Sequence, residues 1–492
     1  MIELEKIFSG SENVYVEFKA AQGGMPNSVW ETYSSFANTF GGTIILGVGE
    51  DKKTRKLSIL GIEDSDKMLK DIWNIVNNSS KVSKNIILEN NVYIHKYKSK
   101  DLIVIEVPRA NRASKPIYVG TDMFKGTYRR NHEGDYLCDK DEIKAMLRDS
   151  SEISSDSVIL DNVSLDALNK ESIKSYRSRF SIIRSNHIWN SLNDDAFLIK
   201  IGAARISQHD GKVHPTLAGL IFFGDYIEIV NELPNFFLDY REKTSVDSRW
   251  ADRVCSSDGD WSGNVYDFYF RVVDRVTSNA KRPFALDNNL LRQDDTNIHK
   301  ALREALANSL IHADYHGRRG IVIEKEYEKI VFSNPGTFRI SVEDAISGGI
   351  SDARNPRIFN MFSLIRVGER SSMGLCDIYS YFEESGLNRP TIKESIEPDR
   401  ITLTLNINND NSYSVADSFD DNFYIVDEPS SLEDKVYKCI CNDNYISTKN
   451  IASSLDVSTR TIQRAIKKLE EDSLIKNIGN RKTIKWEVLD KH

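Results

Sequence analysis

Near the N-terminus, the hydrophobic and polar positions change from a helical period to a strand-like one. Apolar and aromatic side chains first recur at helical spacing: Trp30, Tyr33, Ala37 and Phe40. Gly41 and Gly42 predict the end of that helix, and the apolar run 43–48 predicts a buried strand after it. Two β-rich runs, 92–97 and 102–107, flank four polar residues and predict a hairpin. The pattern therefore predicts a mixed α and β domain.

The middle of the chain contains a predicted helix with an unusual polar face. Residues 299–313 have helical periodicity, with leucine and alanine on most sides. Glu304, Asn308 and His312 are spaced four residues apart, so they share one face. Apolar runs predict strands around this helix: 217–223, 320–324 and 330–333. A face of Glu, Asn and His on an otherwise apolar helix indicates a ligand site.

The segment 431–492 has the order helix, helix, turn, helix and hairpin, which predicts a winged helix-turn-helix. Polar side chains lie off the apolar stripe of its second helix: Arg460, Gln463, Arg464 and Lys467. Arg481 and Lys482 lie at the predicted wing tip. The segment holds 12 Lys and Arg against 9 Asp and Glu. We expect the helix to contact base edges and the wing to contact phosphate; docking to a protein is the alternative.

A length of 492 residues exceeds one hydrophobic core, so three or more domains are expected. The Ser-rich stretch 149–157 and an acidic stretch further on have the composition of connections. The expected fold class is α+β and multi-domain, with the following parts: a mixed α/β domain 1–148, a middle α/β domain 158–290, an α/β sandwich 291–405, an acidic linker 406–430 and a winged helix 431–492.

Composition restricts the class of protein further. No apolar run approaches the roughly 20 residues that a membrane span needs, and the N-terminus lacks the apolar stretch of a signal peptide. Five cysteines form no CxxC pair. We expect a cytoplasmic protein with no membrane partner. Since the formal net charge is −8, nucleic acid would be attracted only by local basic patches.

A basic patch is predicted in the N-terminal domain. Basic residues are interleaved with tyrosines there: Arg109, Arg112, Lys115, Tyr118, Lys125, Tyr128, Arg129 and Arg130. Basic side chains follow a phosphate backbone and tyrosines stack on bases. We therefore predict a nucleic-acid groove at this patch, with a solvated basic loop as the alternative.

Acidic residues near strands of the same domain predict a metal site. Glu12 lies before a predicted strand and Glu17 lies on it. Asp51 follows the buried strand 43–48. Three carboxylates can hold Mg²⁺ or Mn²⁺ against a phosphate. Lys19 shares a strand face with Glu17 and would stabilise charge on that phosphate. Ordinary solvated carboxylates are the alternative.

Several motifs, in order, resemble the Alba-related Schlafen domain over roughly residues 10–148: ENVYVEFK from Glu12, SFANTFGGTIILGVGED from Ser35, KPIYV from Lys115 and GTYRR from Gly126. Some Schlafen proteins cleave RNA with two Glu and one Asp around a metal, whereas other relatives are described only as DNA-binding. The resemblance implies that Glu12 and Glu17 match the Glu pair and that Asp51, or Glu50, matches the third acid.

Residues 301–394 resemble the GHKL ATP-binding fold, and more closely the divergent module of bacterial proteins labelled RecG-like or ATP-binding transcriptional regulators. The resemblance implies roles for two residues that share a helix face with His312: Glu304 orients the attacking water and Asn308 ligates Mg²⁺. It also implies that Asn334 and Gly336 lie beneath adenine and that Gly368 and Gly374 bracket the phosphates. The usual Asp-x-Gly-x-Gly loop is SNPGTF here, and the usual Gly-x-Gly is SSMG. A degenerate ATPase fold used for dimerisation or spacing is the alternative.

The sequence leaves different classes of function open. The first is an ATP-gated, DNA-binding regulator or phage-defence factor. The second is a metal-dependent endonuclease that cleaves RNA, such as tRNA, or DNA. A scaffold with a degenerate ATPase fold is a third. The expected partners are DNA or RNA, ATP with Mg²⁺ or Mn²⁺, and further copies of the chain in a homo-oligomer.

Overall fold

The computed structural model of the chain describes residues 13–51, 56–243, 250–278, 296–349, 351–368, 374–396, 398–407, 436, 448, 459–471, 475–477 and 486–488. The chain divides into two compact units, Met1–Asp417 and Ser418–His492. Among the described residues, no helix combines the length and the apolar character that crossing a membrane requires.

The first unit begins with a four-stranded sheet of order β1–β2–β6–β5. The described strands of this domain are β1 (Val16–Lys19), β2 (Gly42–Leu46), β3 (Val48–Glu50), β4 (Leu57–Ile59), β5 (Val92–Tyr97), β6 (Lys100–Val107), β7 (Tyr128–Asn131) and β8 (Gly134–Leu137). Its helices are α1 (Ser28–Asn38), α2 (Ser65–Val76), α3 (Met123–Gly126) and α4 (Lys140–Ser150). The predicted helix, buried strand and hairpin are all present.

The two faces of this sheet are covered differently. Ile44 and Ile105 pack in one core with residues of α1 and α2. Phe18, Ile45 and Leu102 point the other way, into a smaller core that the β3–β4 hairpin helps to cover. Because side chains alternate along a strand, the neighbours of Phe18 on β1 face the helices.

The rest of the first unit is built on a six-stranded sheet of order β12–β11–β13–β14–β16–β15. The strands are β9 (Ala204–Ile206), β10 (Val213–Pro215), β11 (Leu238–Glu242), β12 (Asp252–Cys255), β13 (Ile321–Lys325), β14 (Lys329–Pro335), β15 (Thr391–Ile396) and β16 (Asp399–Asn406), of which β9 and β10 form a separate ribbon. The helices are α5 (Lys170–Ile183), α6 (Asp194–Ile201), α7 (Leu217–Phe223), α8 (Tyr226–Glu232), α9 (Val265–Thr277), α10 (Asn297–Ile311), α11 (Val342–Ser347), α12 (Pro356–Leu364) and α13 (Gly374–Glu384).

The six-stranded sheet crosses the domain boundary expected at residue 290. Strand β11 pairs in parallel with β13, and Leu238 is in register with Ile321. A single hydrophobic core extends from Ala167 to Ile407. Residues 158–290 and 291–405 therefore share one sheet and one core rather than forming two separate ones.

The apolar run Leu217–Phe223 is a helix, so the strand expected there is wrong. The hydroxyl of Thr216 accepts a hydrogen bond from the backbone N–H of Gly219 at 3.1 Å and caps the helix. All seven residues of α7 are buried. A helix buried on every side has no polar face, so its period cannot be recognised in the sequence.

The second unit contains α14 (Thr459–Glu471) and an antiparallel pair of strands, β17 (Ile475–Asn477) and β18 (Trp486–Val488). Ile462, Ile466 and Leu469 are buried, as the apolar stripe predicts. The predicted second helix and the wing hairpin are thus confirmed.

Candidate nucleotide site and nucleic-acid interface

A cavity of about 490 Å³ lies between α10, the six-stranded sheet and α13. The sheet contributes apolar side chains to its wall: Phe332, Ile392, Ile401 and Leu403. Leu375 and Ile378 of α13 add to this apolar surface. The volume lies within the range of small-molecule sites, which combine apolar walls with a few convergent polar groups.

The polar face of α10 opens into this cavity beside the start of α13. A Cβ added to Gly374 would lie 2.7 Å from Oε1 of Glu304 and 2.9 Å from Nδ2 of Asn308. Only glycine therefore allows α13 to approach α10 this closely. The Asn308 side chain lines the cavity and makes no hydrogen bond to any other described residue.

His312 and Asn334 also line the cavity. Burial, together with the positive charges of Arg354 and Arg339, lowers the pKa of His312 to about 4. The imidazole is therefore neutral at pH 7. Asn334 lies near the end of β14 and is 6% exposed.

The remaining predicted glycines lie elsewhere. Gly336, with φ of 106°, lines a smaller neighbouring cavity, and a Cβ added to it would lie 3.1 Å from the guanidinium of Arg354. Gly368 faces Ile311 and Ala307 and is not among the described residues of the larger cavity wall. The structure thus brings together Glu304, Asn308, His312, Asn334 and Gly374.

Two arginines of the cavity wall were not predicted. Arg339 and Arg354 both line the cavity. Arg354 is buried and donates from Nε to the carbonyl of His312 at 3.1 Å. Arg339 donates from Nη1 to the carbonyl of Ala353 at 2.9 Å. No sequence motif marks either arginine, because several of their partners are distant in the chain.

The arginines of the basic groove predicted in the N-terminal domain form ion pairs, and the groove itself stays a prediction. Arg130 is 1% exposed and contacts Glu17 at 2.7 Å and Asp135 at 3.0 Å. Arg109 donates from both terminal nitrogens to Glu394, at 2.6 and 2.8 Å. Neither side chain offers a free charge to phosphate.

Three other members of the predicted groove are engaged within the domain, whereas the Lys125 side chain is 84% exposed. Lys115 donates to the carbonyl of Asn38 at 2.6 Å, and burial lowers the pKa of Lys115 to about 7. Nε of Arg129 lies 2.7 Å from Glu142. Tyr128 is half-buried between strand and helix, where its N–H donates to a serine hydroxyl of α1 at 3.0 Å. These three side chains of the basic cluster therefore pack against other parts of the same domain.

The predicted metal ligands are only partly described. Glu17 accepts a hydrogen bond from Lys19 at 2.6 Å, which confirms that the two share a strand face. Asp51 is exposed at the β3–β4 turn, and Glu12 lies outside the described residues. Within the described part of the chain, no three His, Cys, Asp or Glu side chains converge as a metal site would require. The metal site stays a prediction.

Exposed basic residues are found at other positions. Lys96, Lys98 and Lys100 surround the tip of the β5–β6 hairpin, and Lys98 lies over the ring of Tyr97 at 5.1 Å. On α14, the described exposed side chains include those predicted to read DNA: Gln463, Arg464 and Lys467. The Arg460 side chain and both wing residues, Arg481 and Lys482, lie outside what is described.

These domains define a multi-domain α+β protein with a helix-turn-helix unit. Family models match four segments: residues 12–139 match "Schlafen, AlbA_2", residues 144–239 match a domain of unknown function (DUF8451), residues 319–405 match "Putative ATP-dependent DNA helicase recG C-terminal" and residues 433–478 match "HTH domain". The Schlafen AlbA_2, RecG-type C-terminal and helix-turn-helix matches follow one another in the order that the sequence predicts. This combination indicates a DNA-binding, ATP-related regulator.

Solved structures include two similar chains. The DIP2311 protein from Corynebacterium diphtheriae is 16% identical, with 99% of this chain and 83% of that chain covered and a TM-score of 0.39. The N-terminal domain of a putative ATP-dependent DNA helicase RecG-related protein from Nitrosomonas europaea is 31% identical, with 27% of this chain and 90% of that chain covered and a TM-score of 0.22. No curated protein matches the chain.

Proposed function

We propose that the chain is a DNA-binding regulator whose six-stranded module binds ATP with Mg²⁺ or Mn²⁺, and whose nucleotide state controls DNA binding. The observation that carries this proposal is the cavity in which Asn308 faces Gly374 at the start of α13. An amide oxygen is a suitable Mg²⁺ ligand, and a helix N-terminus favours phosphate. Glu304, beside both, would orient the attacking water.

The DNA-binding part of the proposal rests on exposed basic side chains. Gln463, Arg464 and Lys467 lie on the solvent side of α14, and Lys98 and Lys100 lie at the β5–β6 tip. Basic and amide side chains of this kind bind phosphate and base edges. The same proposal extends to assembly into a homo-oligomer, which mass photometry tests, and to binding of RNA, which RNA titration tests. It also extends to a role in phage defence, which plaque counts test.

Thermal unfolding of the full chain with and without MgATP tests nucleotide binding. A ligand present at 100 times its Kd adds about 2.7 kcal/mol to the free energy of unfolding, so Tm should rise. Asn308→Ala should abolish the rise, whereas Lys300→Ala, exposed on the same helix, should keep it. Glu304→Gln should keep the rise and stop any release of phosphate. An unchanged Tm at millimolar MgATP in the wild type would reject nucleotide binding.

We also propose metal-dependent nucleic-acid cleavage as a second candidate, because Lys19 lies beside Glu17 on the helix side of β1. Both oxygens of Glu17 already accept from cations, so the exposed Asp51 is the better residue to change. Cleavage of tRNA or plasmid in Mn²⁺ should stop with EDTA and with Asp51→Asn. Absence of cleavage in the wild type with either metal would reject this candidate.

A further inference from the structure

The N-terminal domain holds part of the wall of the nucleotide cavity in place. Arg339, Asp352 and Arg354 line the cavity. Each of them also contacts Arg112 or Asp149, which belong to the N-terminal domain and its last helix. A ligand that touches this wall therefore touches side chains whose partners lie in another domain.

These five residues, which we call the junction network, are Arg112, Asp149, Arg339, Asp352 and Arg354. Arg112 pairs with Asp352 through Nε and donates from Nη1 to the carbonyl of Asp149 at 2.8 Å. Arg354 pairs with the Asp149 carboxylate. Arg339 lies 3.4 Å from Asp352 and donates to the Asp149 carbonyl, also at 3.4 Å. Every member except Arg354 thus has at least two partners in the network or its backbone, and Arg354 is held further by the carbonyls of His312 and Thr337.

A second contact reinforces the same wall. Arg109 of the N-terminal domain donates to the carbonyl of Phe338 at 2.9 Å and to Glu394, and Phe338 donates its N–H to Glu394 at 2.8 Å. Phe338 lines the cavity. The side chain of Glu394 is 2% exposed, so this contact is shielded from solvent.

Charges held this way respond together. The side chains of the Arg354–Asp149 pair are only 7% and 18% exposed, so loss of one partner leaves the other charge poorly compensated. A nucleotide that pulls Arg339 or Asp352 toward itself must therefore change the environment of Arg112. Coupling between two binding sites is reciprocal, so nucleic acid bound to the N-terminal domain must change nucleotide affinity by the same factor.

We infer that nucleotide in the cavity and nucleic acid on the N-terminal domain are energetically coupled through the junction network. Nucleotide binding thereby changes the nucleic-acid affinity of the N-terminal domain. This inference rests on the proposed nucleotide and nucleic-acid binding and adds the route between them. It assigns Arg112 as a positioning residue, because the side chain acts on the cavity wall through Asp352.

The test measures the Kd of MgATP for the full chain with and without a saturating duplex oligonucleotide. An Arg464→Ala/Lys467→Ala background reduces the contribution of the winged helix. We expect the oligonucleotide to change the Kd by at least about 5-fold, and ATP to change the oligonucleotide Kd by the same factor. Arg112→Gln should bring both factors to about 1, while the Kd of MgATP without oligonucleotide changes little.

Arg318→Gln is the matched control. Arg318 joins the same two parts of the chain through an ion pair with Asp141 at 3.1 Å, but its side chain is 70% exposed and it does not line the cavity. This variant should keep the wild-type factor. Asp352→Asn removes the other side of the pair, and a double variant with Arg112→Gln should lose no more coupling than either change alone.

The outcomes separate the two proposals. If neither ATP nor the oligonucleotide binds, the proposed function fails and this inference falls with it. If both bind and the Kd of each ignores the other, the proposed binding stands and the inference is overturned. Coupling that persists in folded Arg112→Gln protein, or that is equally lost in Arg318→Gln, also overturns it.

Discussion

The guanidinium of Arg130 lies 2.7 Å from the carboxylate of Glu17, and both side chains are buried beside α1. The sequence placed Arg130 in a nucleic-acid groove and Glu17 in a metal site. In the structure each is the other's partner, and Asp135 shares the same guanidinium at 3.0 Å. This pair fixes the edge strand β1 to the β7–β8 hairpin.

Arg130→Met should destabilise the protein strongly. Removing the guanidinium leaves Glu17 and Asp135 without their common counter-charge in a buried place, which costs about 3–5 kcal/mol. Urea unfolding followed by circular dichroism measures the change. Lys125→Met is the control, because this side chain is 84% exposed and its loss should cost less than about 0.5 kcal/mol. Equal effects of the two substitutions would contradict the structural role of Arg130.

Gly374→Val should weaken nucleotide binding at least about tenfold. The added side chain would begin 2.7 Å from Glu304 and 2.9 Å from Asn308. Either α13 or the polar face of α10 must therefore move. Isothermal titration with MgATP measures the affinity. The comparison is Gly23→Ala, where an added Cβ meets no atom within 4 Å and the wild-type affinity should remain. Wild-type affinity in Gly374→Val would place the ligand elsewhere.

Arg464→Ala combined with Lys467→Ala should weaken duplex DNA binding and make it less dependent on salt. The slope of log K against log salt is negative, and each lost phosphate contact reduces its magnitude by about 0.9. Fluorescence anisotropy at several salt concentrations gives this slope. Lys212→Ala, an exposed lysine in the first unit, should leave it unchanged. If the double variant keeps both affinity and slope, α14 docks a protein instead.

Asp399→Asn should stabilise the protein at pH 8 and have no effect near pH 4. Burial, with nearby carboxylates, raises the pKa of Asp399 to about 7. Because the folded pKa exceeds the ordinary value of 3.8, the wild type loses stability as pH rises from about 4 to 7. The gain in the variant is at most about 4 kcal/mol, since one pKa unit corresponds to 1.36 kcal/mol.

Urea unfolding at pH 4, 6 and 8 checks this dependence. Asp258→Asn, at an exposed position, controls for the loss of one negative charge from the chain. A constant difference between wild type and Asp399→Asn over the whole range would show that the carboxylate does not titrate there.

Local periodicity predicts the parts of the site that lie on one element. Glu304, Asn308 and His312 are four residues apart along α10 and its C-cap, so helical geometry alone places them on one face. The inner stripe of α14 follows from the same rule. Gly374 joins them because a close approach of two helices requires glycine there.

Pairing between distant charges cannot be deduced from the same sequence. Arg109 finds its partner in Glu394, 285 residues away, and Arg112 finds Asp352, 240 residues away. A run of arginines and lysines is identical in sequence whether it faces solvent or opposing carboxylates. The ion pairs of the basic cluster, and with them the junction with the cavity wall, were therefore not predicted.

The parallel pairing of β11 with β13 also has a consequence for synthesis. Leu238 and its register partner Ile321 are 83 residues apart. A ribosome that adds about 5–20 residues per second needs about 4–17 s to make that stretch. During this interval β11 has left the ribosome with one edge lacking its final neighbour. We expect nascent chains arrested in this interval to recruit chaperones, and chains released beyond β13 to let them go.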